Sequence, residues 1–302
     1  MIPAVSRLSE LLQAGRFAVT AEIAPPASPD PQSLLERALP LRGLADAVNI
    51  TDGAQARASM SALAAAAILA QNGIEPILQM SCRDRNRIAL QSDLLGAAAL
   101  DIRNLLMLRG DDPTSGDQPD AKPVFDLDTE ALVATAVRMR DRGELPSGRA
   151  LQGKPAFFVG ATDSPIDPPP AWQPDRLRAK IEAGVQFVQT QFCMDVDILK
   201  RYLQRLADAG LEGRVSILVG IAPLASARSA SWMREHLPGV IIPEAIVVRM
   251  ERAVEPKAEG RRICVELMRS LSEMRGVAGV HIMAPLNESA IAPTIAEFRS
   301  WS

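Results

Sequence analysis

Short apolar or β-branched runs alternate with helical patterns along the chain, and this alternation limits the fold more than any other feature. The runs are Phe17–Ile23, Asp46–Ile50, Ile74–Met80, Asn104–Leu108, Ala156–Ala161, Phe187–Gln191, Val215–Val219 and Gly279–Met283. Helical patterns separate them at Pro31–Leu41, Ser59–Gln71, Arg85–Leu100, Asp128–Arg142, Asp175–Ala183 and Asp195–Ala209. Three helical pieces follow the seventh run (Ala225–His236, Pro243–Ala253 and Glu259–Met274), and Asn287–Arg299 is the last helix. Strands joined by helices of this length pair in parallel, because a parallel connection needs a crossover and cannot be a tight hairpin. Eight such units, roughly 30–40 residues each and with no linker between them, predict a closed (β/α)₈ TIM barrel. An open doubly wound sheet is the alternative, but no G-x-G-x-x-G follows the first strand. The 302 residues then form one barrel domain, 1–302, with a short amphipathic helix at 4–14 ahead of the first strand. Length alone suggests two domains, but barrels of this kind often reach this size as one.

Composition removes several classes of function. Apolar residues make up 47% and charged residues 23%, which supports a buried core and argues against disorder or a coiled coil. A net charge of −3 gives no electrostatic footprint for nucleic acid. The longest apolar stretch, Ser61–Leu78, is broken by Gln71, Asn72 and Gly73, so no membrane span is expected. The first residues lack the apolar core of a secretion signal. Cys82, Cys193 and Cys264 cannot all pair within one chain, and their low count suits a reducing cytoplasm. Neither these cysteines nor His236 and His281 have metal-ligand spacing, so no metal site is expected. Trp232, Met233 and Trp301 are either interface anchors of an expected homo-oligomer or core residues.

A TIM barrel carries its active site at the C-terminal ends of the strands, so the polar residues there are the candidates. They are Glu22; Asn49, Thr51 and Asp52; Gln79, Ser81 and Cys82; Arg109, Gly110 and Asp111; Thr162, Asp163 and Ser164; and Gln189, Thr190 and Gln191. Pro285, Leu286 and Asn287 follow the last strand. The Pro/Gly/Asp-rich loops 111–122 and 163–174 both follow strand ends, where long loops are more often functional than passive. A carboxyl desolvated inside a narrow barrel holds its proton more tightly and can act as a general acid near neutral pH. Glu22 has that position; the plainer reading is a buried acid paired with Arg or Lys. Asp111 and Arg109 either face one mouth together or form a local ion pair. Gln191 either recognises a heterocycle edge or is a satisfied polar residue of the barrel. Lys180, with Arg176 and Arg178 nearby, either reaches a phosphate or belongs to a solvated helix face. A Schiff-base enzyme using Lys180 or Lys154 is disfavoured, since neither lysine sits at a strand's C-terminal end.

Six motifs in this order resemble methylenetetrahydrofolate reductases. They are Glu22-Ile-Ala-Pro-Pro, Leu108-Arg-Gly-Asp111, Lys180-Ile-Glu-Ala-Gly184, Thr190-Gln-Phe192, Gly220-Ile-Ala-Pro-Leu224 and the Leu237–Pro243 segment. The resemblance runs from about Phe17 to Asn287. It implies a (β/α)₈ barrel with non-covalent FAD that reduces 5,10-methylenetetrahydrofolate to 5-methyltetrahydrofolate, usually with NADH or NADPH, in one-carbon metabolism and methionine biosynthesis. It implies that Glu22 is the general acid and that Asp111 lies near both flavin and pterin as an electrostatic stabiliser. Gln191 matches a pterin-binding glutamine. Thr51, Asp52, Gln79, Arg109, Gly110, Asp111, Asp126, Thr162 and Lys180 fall at cofactor-contacting positions, with Lys180 near the FAD phosphates. Gln79 stands where many members carry His, and Thr162 where a flavin-stacking Tyr is common. Asp52 stands where an aromatic or small residue usually follows the strand-two Thr, and Ser164-Pro165 where Asn-Pro is frequent. A carboxylate at Asp52 disfavours an anionic cofactor nearby unless it is paired. These departures leave an alternative, an accessory folate-binding barrel with a weakened or absent flavin site.

Overall fold

The computed structural model describes residues 5–285 and 287–300. Eight strands, β1 (Ala18–Ile23), β2 (Ala47–Ile50), β3 (Pro76–Ser81), β4 (Asn104–Leu108), β5 (Phe158–Asp163), β6 (Phe187–Phe192), β7 (Ser216–Ile221) and β8 (Gly279–Ile282), pair in parallel in chain order. β8 returns to pair with β1, and the TIM barrel is closed. Helix α1 (Arg7–Gln13) precedes β1. α2 (Pro31–Ala38), α3 (Ala62–Gln71), α4 (Arg87–Ala99), α5 (Thr129–Arg142), α6 (Asp175–Ala183) and α7 (Val196–Asp208) follow β1 to β6 in turn. α8 (Ala227–His236), α9 (Glu244–Glu251) and α10 (Pro256–Ser272) lie between β7 and β8, and α11 (Ile291–Arg299) comes last.

Element boundaries move where caps and prolines act. α3 starts three residues later than its apolar pattern, because the Ser61 hydroxyl accepts from Ala64 N and caps it. α10 starts earlier, at Pro256, whose missing N–H costs nothing at the first helical position. β3 opens on Pro76, which a strand tolerates at its first residue. The segment expected as one helix over Asn287–Arg299 divides into a 3₁₀ turn at Glu288–Ala290 and α11. Of the helix expected at 4–14, residue Ala4 lies outside the described residues, as do Leu286 and Trp301.

Side chains alternate across the barrel wall with period two. Val19, Ala21, Ile23, Val48, Ile50, Leu78, Met80, Leu105, Met107 and Val159 belong to the outer core shared with the helices. Ala18, Ala47, Ile77, Leu106, Phe158, Phe187 and Leu218 fill the lower interior. α1 plugs this end: Leu8 and Leu12 join the interior layer, each burial stabilising by about 1.5–3 kcal/mol. Glu75 caps the plug by accepting from Arg7 N and Leu8 N at 3.0 and 2.8 Å. Phe158 and Phe187 stack with ring centroids 4.9 Å apart, and a Cβ at Gly160 would overlap the Phe187 ring. Glycine at 160 is therefore a requirement of space.

Met233, a candidate interface anchor, is instead buried in the cluster formed with α9 and α10, whereas Trp232 is half-exposed. Cys82, Cys193 and Cys264 are free and buried. Burial pushes the Cys82 thiol up to about 11 and that of Cys193 up to about 12, so both stay protonated near neutral pH. No helix among the described residues is long and apolar enough to cross a membrane.

Candidate active site

A cavity of about 400 Å³ opens at the C-terminal ends of the strands. It brings together Glu22, Thr51, Asp52, Gln79, Arg109, Gly110, Asp111, Thr162 and Gln191, all expected from the sequence. A second cavity of about 490 Å³ shares Thr162, Asp163 and Ser164 with the first and is lined beyond them by Trp172, Arg176 and Lys180. Lys180 is therefore not on a fully solvated face. Its Nζ donates to the Thr162 carbonyl at 2.6 Å, at the junction of the two cavities. Asp126 lines neither cavity. Its carboxylate takes a two-pronged bond from the Arg87 guanidinium and a third from Arg87 N, which holds its pKa down at about 2. Asp126 thus anchors the β4–α5 loop to the start of α4.

Among the described residues Glu22 has no Arg or Lys partner. Its Oε2 accepts from Gln79 Nε2 at 2.8 Å and lies 3.5 Å from His281 Nε2, while Oε1 makes no hydrogen bond among the described residues. His281, on β8, is buried, and its Nδ1 lies 3.0 Å from Thr20 Oγ1. Thr20 Oγ1 accepts from Gln189 Nε2, and Gln189 and Asn49 exchange amide hydrogen bonds. The Thr20 hydroxyl donates to the Val280 carbonyl at 3.2 Å, and its remaining lone pair faces His281 Nδ1. A continuous polar layer thus runs beneath the acid from β2 to β8.

The charge on Asp52 is paired. Arg85 bonds its carboxylate, and Ser81 N donates to the same oxygen at 2.7 Å. Arg85 also holds Asp93 at 2.7 Å. The condition for tolerating an anionic ligand next to Asp52 is therefore met. Arg109 does not pair with Asp111; its guanidinium lies over the Phe125 ring, 4.6 Å from the centroid. Asp111 Oδ2 instead accepts from Gln55 N at 2.7 Å. Gln191 is oriented at both ends of its amide: Nε2 donates to the Pro238 carbonyl at 3.2 Å, and Oε1 accepts from Phe192 N at 3.0 Å. One N–H and one lone pair remain for a ligand.

Gln189 and Asp163, two of the strand-end candidates, also line the main cavity, as does His281, which was not among those candidates. Asp163 accepts from the hydroxyl of the buried Tyr202, whose pKa burial and this carboxylate drive far upward. A signal for His281 was present: it lies two residues before Met283, which also lines the cavity, and period-two alternation puts the pair on one face.

The two cavities are adjacent, sharing Thr162, Asp163 and Ser164, and differ in what they offer a ligand. The near cavity supplies an acid and an amide, and the far one the cations of Lys180 and Arg176.

A sequence model of the family described as Methylenetetrahydrofolate reductase matches residues 7–298. A probable methylenetetrahydrofolate reductase (NADPH) of Caenorhabditis elegans is 23% identical over 253 residues, covering 81% of this chain. The match covers 35% of that protein, so the chain spans about a third of its relative's length. Among solved structures, an uncharacterized protein from Clostridium thermocellum, which binds two copies of 5-methyl-5,6,7,8-tetrahydrofolic acid, aligns with a TM-score of 0.64. Its identity is 13%, the match covers 98% of this chain and 100% of that one, and the likeness is one of fold.

Proposed function

The chain belongs to the methylenetetrahydrofolate reductase family, and from that premise we propose that it interconverts 5,10-methylenetetrahydrofolate and 5-methyltetrahydrofolate with FAD, using NADH or NADPH as external donor. The observation that carries the proposal is the set of Glu22, Asp111 and Gln191 around one cavity, with Glu22 Oε1 free of partners among the described residues. Bound FAD would supply the hydride in the reducing direction and accept it in reverse. The adjacent cavities would hold it, with Lys180 and Arg176 toward its phosphates.

The protein's part is proton handling and charge placement. In the reducing direction Glu22 gives its proton to the ring nitrogen that leaves the methylene carbon. The C–N bond breaks, the nitrogen keeps the electron pair, and a cationic iminium remains on the substrate. Asp111 stabilises that cation, an interaction stronger in the transition state than in the ground state. Gln191 uses its spare N–H and lone pair on the pterin edge. Glu22 lines the open cavity and regains its proton from solvent, with His281 Nε2 3.5 Å from Oε2 holding the carboxyl in place. The free, buried thiols accord with a reducing compartment, and we place the protein in the cytoplasm.

A second reading is favoured by one observation: among the described residues no aromatic side chain lines the main cavity, so none stacks on a planar head there. It is an accessory folate-binding barrel without flavin turnover. Steady-state oxidation of 5-methyltetrahydrofolate by the FAD-loaded protein, with a quinone as two-electron acceptor, separates the two. Turnover supports the reductase reading, and folate binding without turnover supports the second.

Lys180→Met should weaken FAD binding roughly 10- to 100-fold, the loss of one charge-assisted contact of about 1.5–3 kcal/mol. Quenching of FAD fluorescence during titration measures it. An unchanged affinity would remove Lys180 from the phosphate role.

A further inference from the structure

We propose that Arg83 is the positioning residue for Asp111. Its guanidinium clamps the loops after β2 and β4 together, so that Gln55 N–H holds one carboxylate oxygen of Asp111 and leaves the other for the ligand. The inference rests on the role given above to Asp111.

Asp111 needs such a device. It is exposed, and it stands at the head of the long connection from β4 to α5. A carboxylate there would rotate freely without a fixed donor. The donor is Gln55 N, 2.7 Å from Oδ2, while Oδ1 takes no hydrogen bond among the described residues. Gln55 and Ala56 both have positive φ, at 57° and 53°. Residues with a Cβ hold that conformation only when their surroundings impose it.

Arg83 is what imposes it. Only 4% exposed, it sits between the two loops. Nη1 and Nη2 donate to the Gly53 carbonyl at 3.2 and 3.1 Å, and Nη1 also donates to the Asp111 carbonyl at 3.3 Å. Nε and Nη2 bond Asp84 at 2.7 Å each, which fixes the plane of the guanidinium. The fit around it leaves no slack, since a Cβ at Gly53 would overlap Nη2. The Arg83 carbonyl accepts from Val124 N at 2.7 Å, so the same residue also ties down the far end of the β4–α5 loop. Arg83 does not line the main cavity, and its influence there passes through Asp111. Lysine has one nitrogen and no rigid fork, and cannot serve three acceptors in this geometry.

The test is a double-mutant cycle on the FAD-loaded protein, reading kcat/KM for 5-methyltetrahydrofolate with a quinone acceptor. Asp111→Asn should cost roughly 100-fold or more, and Arg83→Met about tenfold or more. In the Asp111→Asn background Arg83→Met should change the rate less than about twofold, because the group it positions is already disabled. FAD affinity should stay within about twofold of wild type in Arg83→Met, since Arg83 lines neither cavity. The clamp is overturned if Arg83→Met leaves the wild-type rate intact, or if its loss multiplies with that of Asp111→Asn. A wild-type rate in Asp111→Asn alone overturns the role of Asp111 itself, and the clamp with it. Should Arg83→Met fail to fold, Arg83→Lys and hydrogen exchange at the Gln55 amide take its place. Protection there should fall about tenfold or more in Arg83→Lys, and unchanged protection overturns the clamp.

Discussion

Glu22→Gln is expected to slow the folate step by about 10²–10⁴-fold while leaving FAD binding close to wild type, the range a positioned general acid supplies. The substitution is isosteric. The Gln79 amide can turn to hydrogen-bond the new side chain, and His281 still faces it, so the polar layer persists. What is lost is a group that can release a proton at the free Oε1 position. Rapid mixing of FAD-loaded protein with folate under anaerobic conditions isolates this step, and reduction of the bound flavin by dithionite serves as the control. Folate turnover at the wild-type rate in Glu22→Gln would show that the proton comes from elsewhere.

The largest effect on stability should come from Gly160→Ala. A methyl group there would occupy space already filled by the Phe187 ring, which is backed in turn by Phe158 at 4.9 Å between centroids. A closed barrel cannot open to make room, so the overpacking cost should sit near the upper end of its usual range, about 3 kcal/mol. Phe187→Leu in the same chain should recover part of this by vacating the volume. Denaturant midpoints of the single and double variants measure both effects. An unshifted midpoint for Gly160→Ala would contradict the packing described for the lower barrel.

The barrel was legible because its two periods differ. Outer strand residues such as Val19, Ala21 and Ile23 pack on helices, and the 3.6-residue pattern resumes between the strands. The ends of elements were less legible. Ser61 and Pro256 decide where their helices start through one hydroxyl and one missing N–H. The residues lining the main cavity were largely readable because strand ends of one parity converge on the mouth of a barrel. His281 escaped notice as a neighbour of Glu22, since the closure of β8 onto β1 brings the two together from opposite ends of the chain. Lys180 was open to two readings until the second cavity appeared beside it. The Arg83 clamp carried no sequence signal, because two of its acceptors are the backbone carbonyls of Gly53 and Asp111. Asp52 illustrates the converse. Its charge read as an obstacle to an anionic cofactor, and its partner Arg85 lies on the next β–α loop.

The central claim is that this chain exchanges a hydride with folate through a flavin held at the strand ends. The most direct test is the visible spectrum of the anaerobic, FAD-loaded protein before and after addition of 5-methyltetrahydrofolate. Bleaching of the oxidised flavin band is expected on addition of the folate, and its loss in Glu22→Gln. Bound flavin that stays oxidised while folate is bound would contradict that exchange.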